Sequence, residues 1–326
     1  MKVLVTGAAG FIGGNLMEHL ASSGIEAIGI DNYSNYYEPS MKYAHVKSGS
    51  LATRIQEIDI CNESVVKNLF DSFKPSHVIH LAAQGGVRAS KINPVPYLQT
   101  NQIGFLNLLN AAEKIGVEKF LYASSSSVYG DRLDAPFKES DVLSAPKSLY
   151  ALSKLSNELI AKHLPLKQTQ RVAFRFFTVY GPWGRPDMAM FRLLASSLLG
   201  EKFKLTASTK VMRDFTYVDD VSNVIESALS IKAEHLNPDV FNVAGGKPFT
   251  LDELFEILDE LDISIDIEQA PIDPLDVKMT HGSVAKLETS SLPIPSTSLR
   301  EGVIETWSWI NRIEAEQLRA WFEYSR

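Results

Sequence analysis

Short apolar runs alternate along the chain with longer stretches in which apolar residues recur every three or four positions. Runs at 2–5, 26–30, 54–58, 77–80, 119–123 and 171–177 have the length of buried strands. Helical periodicity fills most of the gaps between them, at 11–22, 63–73, 96–115 and 148–164. Strands that alternate with helices pair in parallel, and a parallel sheet needs helices on both of its faces. The expected fold class is therefore α/β: a Rossmann-type parallel sheet with helices on both faces, plus a smaller mixed α/β domain.

Beyond 177 the pattern loosens. Gly181, Pro182, Gly184 and Pro186 cluster into one long, shaped loop. Helical periodicity returns at 219–230, a strand pattern at 240–243, and the last apolar-periodic helix at 298–310. Residues 1–177, with about 214–245 returning to them, are expected to form the first domain. Residues 178–213 and 246–326 are expected to form the second.

Bulk composition excludes more than it identifies. The 326 residues are 45% hydrophobic and 22% charged, ordinary for a soluble globular protein. A net charge of -7 disfavours nucleic acid and anionic membrane as main partners. Cys61 is the only cysteine, so no intrachain disulfide forms. No apolar run is long enough to span a bilayer, and the first residues lack the layout of a signal peptide. A cytoplasmic location is expected. The seven histidines are scattered without metal-ligand spacing, so no metal is expected, and His80 reads as structural.

Chemistry first shows at Gly7-Ala8-Ala9-Gly10-Phe11-Ile12-Gly13, which follows the first strand and opens the first helix. Glycines let the backbone turn tightly against a pyrophosphate, and the helix start offers it free N–H groups. Asp31 ends the second strand, where a carboxylate accepts from ribose hydroxyls and repels a 2′-phosphate. NAD is thus favoured over NADP, although Asp31 beside Asn32 also suits a plain turn. Asp59 and Ile60 suit an adenine, or Asp59 an N-cap for the helix at Glu63.

Tyr150 and Lys154 are four residues apart in a helical segment and share a face. A tyrosine near its reference pKa of about 10 is a poor base at neutral pH, and an adjacent ammonium is expected to lower it. The run Ser124-Ser125-Ser126-Ser127-Val128-Tyr129-Gly130 ends a strand, where ligands sit in open parallel sheets. A serine hydroxyl there can relay a proton from a substrate hydroxyl to Tyr150. Read blandly, it is a Ser-rich turn.

Gly7–Gly13, Asp31, Ser125 and Tyr150-x-x-x-Lys154 together resemble the extended short-chain dehydrogenase/reductase family, over essentially the whole chain. That resemblance implies Tyr150 as acid/base, Lys154 as its support and Ser125 as its assistant. It adds Asn32, Leu81, Ala82 and Ala83, with Tyr150 and Lys154 themselves, to the residues expected around NAD. It also implies a homodimer joined through the helices at 96–115 and 148–164.

Longer stretches narrow the resemblance to UDP-glucuronate 4-epimerases. These are His80-Leu81-Ala82-Ala83-Gln84-Gly85-Gly86-Val87-Arg88, Asp31-Asn32-Tyr33 with Tyr36-Tyr37, Gly104-Phe105-Leu106-Asn107, and 175–189. Arg213-Asp214-Phe215-Thr216-Tyr217 is shared more widely, and implies Arg213 on a nucleotide diphosphate. Such enzymes oxidise carbon 4 of a UDP-sugar, let the 4-keto sugar turn, and reduce its other face. A 4-keto glucuronate is a β-keto acid that loses carbon dioxide readily, so its carboxylate must be held. Ser126, Ser127, Thr178, Arg185 and Arg88 are the expected holders, though each also suits a surface or loop role. Dehydratases and decarboxylases of the family carry a Glu, or an Asp-Glu pair, where this chain has Ser126 and Ser127. Two positions depart from the pattern. Aligning the late substrate loop on Asp276 puts Asp273 where many members have Arg, and Ala89 replaces a bulkier aromatic. The alternatives are a neutral UDP-hexose 4-epimerase, a UDP-glucuronate decarboxylase, and a non-catalytic NAD-binding regulator.

Overall fold

A computed structural model of the chain describes residues 1–49, 51, 54–143, 146–165, 167–236, 240–274 and 276–324. Seven strands form one wholly parallel sheet. They are β1 (Lys2–Thr6), β2 (Glu26–Asp31), β3 (Ile55–Glu57), β4 (His77–His80), β5 (Lys119–Ser125), β6 (Gln170–Phe176) and β10 (Val240–Val243). Their order across the sheet is β3-β2-β1-β4-β5-β6-β10. The direction of winding reverses between β1 and β4, which opens a crevice at their carboxyl ends.

The apolar runs explain why the sheet is covered on both sides. In β1, Val3 and Val5 point into one core with Leu16, Met17, Val221 and Ile225. Leu4 points into the opposite core with Phe70, Phe105 and Leu108. All three β1 residues are fully buried, as strand alternation between two helical layers requires. The helices Phe11–Ser22 and Val218–Ser230 cover one face, and Glu63–Phe73 and Phe105–Ile115 the other.

The remaining strands are short: β7 (Thr178–Tyr180), β8 (Phe203–Leu205), β9 (Met212–Tyr217), β11 (Pro248–Thr250) and β12 (Ile267–Gln269). They make a three-stranded sheet, β11-β9-β7, and a two-stranded one, β12-β8. Around the three-stranded sheet lies a separate core of Leu194, Leu254, Val303, Trp309 and Trp321. Met41, on the helix Pro39–Ser48, and Tyr37, just before it, join this core from the N-terminal half. Trp183 stacks on His45 at 4.4 Å and tilts against Trp309 and Trp321, so its role is packing between these layers.

The single helix expected at 96–115 is instead three consecutive pieces: Val95–Leu98, a π-helical turn over Gln99–Gly104, and Phe105–Ile115. Gly104 lies under Ile60, whose side chain would meet an added Cβ at 2.6 Å. The wider turn lets Asn101 and Gln102 reach polar partners that a regular α-helix would turn away.

Two buried histidines set an acid limit on this fold. Burial lowers both His45 and His80 to about 3. Above the unfolded value of about 6.5 neither matters. Below it the unfolded chain binds protons that the fold refuses, so stability falls as pH drops. Asp214, which burial pushes up to about 6, works in the opposite direction, but as one group against two. These three groups together predict a net loss of about 2 to 3 kcal/mol between pH 6.5 and 5. Urea midpoints across that range check it; a flat profile would contradict the assignment.

Candidate active site

The glycine loop is dictated by close approach. Gly7 has φ +72°, and a Cβ there would sit 2.7 Å from the Ala82 nitrogen. A Cβ on Gly13 would lie 2.0 Å from the Gly7 carbonyl oxygen. Only glycine lets β1, the loop and the first helix meet so tightly. Gly10 precedes the helix, and no side chain caps it. Phe11 is buried and Ile12 packs on the same core, so what these two offer the crevice is backbone N–H.

Asp31 stands at the mouth of the crevice, largely buried. Its Oδ2 accepts from the Ala9 N–H at 3.1 Å and its Oδ1 from the Tyr33 N–H at 2.8 Å. The Lys42 ammonium lies 3.8 Å away. Gly7, Asn32, Ile60, Leu81, Ala82 and Ala83 line the same crevice, as expected from sequence. Lys42, Ile58, Gln84 and Thr100 line it as well and were not foreseen. A groove with glycine at its floor, a carboxylate at one end and apolar walls fits a dinucleotide. Asp59 accepts from the Cys61 N–H at 2.8 Å and from Asn32 at 3.4 Å. It does not cap the following helix; Asn62 does, accepting from the Val65 N–H, because it is Asn62 that immediately precedes the first turn.

Beside the crevice, the helix Leu149–His163 starts at Ser148, whose hydroxyl accepts from the Ala151 N–H at 3.1 Å. That cap puts Tyr150 in the first turn and Lys154 one turn further on. Ser125 is the last residue of β5, and its hydroxyl lies near enough to the Tyr150 phenol to favour the phenolate. It also accepts from the Ser127 N–H and donates to Ser127 Oγ at 3.1 Å. The Lys154 ammonium donates to the Ala123 carbonyl at 2.9 Å.

The acidity of Tyr150 corrects the expectation from sequence. Burial raises it above the ordinary tyrosine value, and this outweighs the Ser125 hydroxyl and the Arg185 charge, both of which lower it. Lys154 contributes nothing resolved to Tyr150; burial lowers its own pKa to about 8. An ammonium that is itself desolvated and directed at a carbonyl is weak help to a neighbouring phenolate.

A polar net supports this helix. Asn101, in the π-turn, brackets Gln84 through the Gln84 N–H at 2.8 Å and carbonyl at 3.1 Å. It also donates to Ser153 Oγ at 2.9 Å, and Ser153 donates to the Tyr150 carbonyl at 2.7 Å. The crevice loop and the Tyr150 helix are thereby fixed to each other. The polar cluster Gln99-Thr100-Asn101-Gln102 inside an apolar pattern was the signal in the sequence.

The other expected residues fall into two groups. Ser126 and Ser127 start the 3-10 turn after Ser125, and Thr178 opens β7. Arg185 lies against Gly85, over the Tyr36 ring, and forms two 2.9 Å bonds to Asp187. Burial pushes the Asp187 carboxyl up, but Arg185 more than reverses this and holds it below its ordinary value. Further out, Arg88 bridges Asp273 at 2.5 Å, Asp276 at 3.1 Å and Thr206 at 2.9 Å. Arg213 is within electrostatic reach of Asp276, although burial lowers its pKa.

Comparisons with known proteins place these features in context. Residues 3–244 match the model of the NAD dependent epimerase/dehydratase family. Protein CapI of Staphylococcus aureus is 35% identical, over 95% of this chain and 98% of its own. A UDP-glucuronate 4-epimerase of Thermodesulfobacterium geofontis is 35% identical, over 94% of this chain and 95% of its own. The structure of a UDP-glucuronic acid 4-epimerase from Bacillus cereus, in complex with UDP-glucuronic acid and NAD, is similar with a TM-score of 0.85. It is 31% identical and covers 98% of this chain and 100% of its own.

The glycine geometry makes a direct prediction. Gly13→Ala forces the loop apart and weakens NAD binding by about tenfold or more, by calorimetry. Gly24→Ala is the control: its φ is +72° but nothing lies within 4 Å, so it costs stability and leaves affinity intact. Unchanged affinity in the Gly13 variant would remove this loop from the cofactor site.

Proposed function

The chain belongs to the NAD dependent epimerase/dehydratase family, and from that membership we propose that it is an NAD-dependent UDP-sugar 4-epimerase converting UDP-glucuronate to UDP-galacturonate. One observation carries the reading. Ser125, Tyr150 and Lys154 meet at the carboxyl end of β5, beside the glycine crevice, and no carboxylate stands at 126 or 127. Residues 1–177 form the NAD side, and the chain returns to it at 218–245 rather than from about 214, because β9 pairs with β7 and β11; residues 178–217 and 246–326 form the nucleotide-sugar side, joined by Arg88, Ser126 and Ser127.

Bound NAD supplies the acceptor and donor of the hydride at carbon 4. The chain's own task is the proton. Ser125 accepts a hydrogen bond from the sugar 4-hydroxyl and passes its proton to Tyr150. The Ser125 hydroxyl and the Arg185 charge both favour the phenolate, and so work against the burial that opposes it. Lys154 holds the ribose side of the cofactor. Arg213 fixes the nucleotide diphosphate while the keto sugar turns, the loop of Asp276 serves the nucleotide ribose, and Arg88, tied to that loop, joins the holders of the sugar carboxylate. Ser126, Ser127, Thr178 and Arg185 hold the sugar carboxylate away from the perpendicular geometry in which carbon dioxide leaves.

The test is a product assay on UDP-glucuronate with no NAD added, since a cofactor restored in each cycle stays bound. UDP-galacturonate is the expected product. Carbon dioxide release would identify a decarboxylase, and faster turnover of UDP-glucose a neutral-hexose enzyme. Tyr150→Phe is expected to cut turnover about 10² to 10⁴-fold with NAD content unchanged. An unimpaired Tyr150 variant would discredit the mechanism.

We also propose a homodimer in the cytoplasm. Leu98, Ile103, Leu152 and Leu159 are each about half exposed on the helical stretches Val95–Leu98, Gln99–Gly104 and Leu149–His163. A second copy would bury them in a four-helix contact. The lone free thiol of Cys61 fits a reducing compartment. Sedimentation at micromolar concentration is expected to give a dimer and Leu159→Glu a monomer; a wild-type monomer would refute the contact.

A further inference from the structure

One register row of the central sheet is polar across three adjacent strands. Ser124 of β5, Arg175 of β6 and Asn242 of β10 lie side by side, all buried. Glu158, two turns beyond Tyr150 on the same helix, closes over the row. Its carboxylate accepts from Ser124 Oγ at 2.5 Å, from Arg175 Nε at 3.0 Å and from Arg175 Nη2 at 2.7 Å. Arg175 Nη1 donates to the Tyr129 hydroxyl at 2.8 Å, and Tyr129 donates to Asn242 Oδ1 at 2.7 Å. The Asn242 amide ends the series on the carbonyls of Phe137 at 2.9 Å and Ser283 at 3.3 Å.

Stability alone does not account for such a network. Apolar residues of similar volume in place of a buried ion pair are often as stable or more so. What a paired, bidentate network adds is fixed position. Its attachments are specific. Ser124 adjoins Ser125, Glu158 shares a helix with Tyr150 and Lys154, and Tyr129 ends the turn that begins at Ser126. The network touches every backbone segment that carries a proposed catalytic group. Its side chains bond to one another and to backbone carbonyls, and the Asn242 N–H donates to Glu139 Oε1 at 2.8 Å.

We propose that Glu158 is a positioning residue for the reaction: with Arg175 it locks the end of β5 against the Tyr150 helix, and so sets the Ser125–Tyr150 contact. The inference rests on the 4-epimerase reading and on Tyr150 as its acid/base. The geometry makes the contact a joint property of two elements. Ser125 hangs from a strand end and Tyr150 from a helix start, and the Ser124–Glu158–Arg175 bonds pin strand and helix just beyond both. A shift of about 1 Å at a reacting contact can cost about a hundredfold in rate.

The test compares NAD-bearing wild type with Glu158→Gln, with the paired Glu158→Leu/Arg175→Met, and with Ser124→Ala. The pair removes both charges, so no lone ion stays buried. Two readouts are taken: kcat and KM on UDP-glucuronate, and ultraviolet titration of the Tyr150 phenolate, as the difference from Tyr150→Phe, which needs no substrate. In the paired variant kcat is expected to fall about 10- to 100-fold, KM to stay within about twofold, and the phenolate midpoint to rise. Ser124→Ala should move both readouts the same way by less, and it decides the matter alone if the other variants do not fold. A folded variant that lacks the network yet keeps wild-type kcat and midpoint overturns the proposal. A wild type inactive on UDP-glucuronate overturns the substrate reading instead, and the titration still tests the positioning.

Discussion

A parallel sheet with dry helices on both faces has no place for polar chemistry except at its strand ends. That constraint organises this protein. β1 illustrates it, with Val3, Leu4 and Val5 fully buried between two cores and Thr6-Gly7 opening directly into the crevice. Thr6, the last residue of β1, already spends its hydroxyl on His80, the last residue of β4, at 2.8 Å. The switch between β1 and β4 then splays the two chain ends apart, and the glycine loop fills the gap with backbone alone. The buried polar row at Ser124, Arg175 and Asn242 lies where β5, β6 and β10 reach that same edge.

The edge carries an electrostatic tension. Burial keeps water away from Tyr150 and Lys154, but it also penalises their ionised forms. Tyr150 is pushed up and Lys154 down to about 8, both by loss of solvent. The two shifts disfavour the phenolate and the ammonium alike. The protein opposes them with directed partners rather than bulk charge: the Ser125 hydroxyl on Tyr150, and a guanidinium, which stays protonated where an amine would not. Arg185 is suited to that part because Asp187 holds its fork on one side.

What the sequence made legible was local. Gly7–Gly13 could be read because its meaning lies within seven consecutive residues. That Tyr150 and Lys154 share one helix could be read because one helical turn joins them. Asp31 announced itself by ending a strand. The Glu158–Arg175 pair could not be read, because its members sit on a helix and a strand whose approach no spacing encodes. The short strands β7, β8, β11 and β12 have three residues each, too few for an alternation to register. The π-turn hid inside a pattern that still repeats every three to four positions. The sign of the Tyr150 shift was misjudged for a related reason. Spacing reported that a lysine was near, but not that its ammonium was aimed at the Ala123 carbonyl.

Arginines tied to carboxylates recur at the edges of the crevice, and this bears on how an acidic chain handles an acidic ligand. Arg185 is tied to Asp187, and the exposed Arg88 to Asp273 and Asp276, so each guanidinium has a carboxylate partner. A guanidinium has five donors, and a carboxylate occupies only two or three of them. The remainder stay directed, so a second anion meets donors already fixed in place. Asp273 falls where many members of the family are expected to place an arginine, yet a cation stands beside it in Arg88. It reaches across from the loop after β4, on a residue that Asp273 itself orients. Position, rather than the sign of the net charge, then decides whether an anion is held.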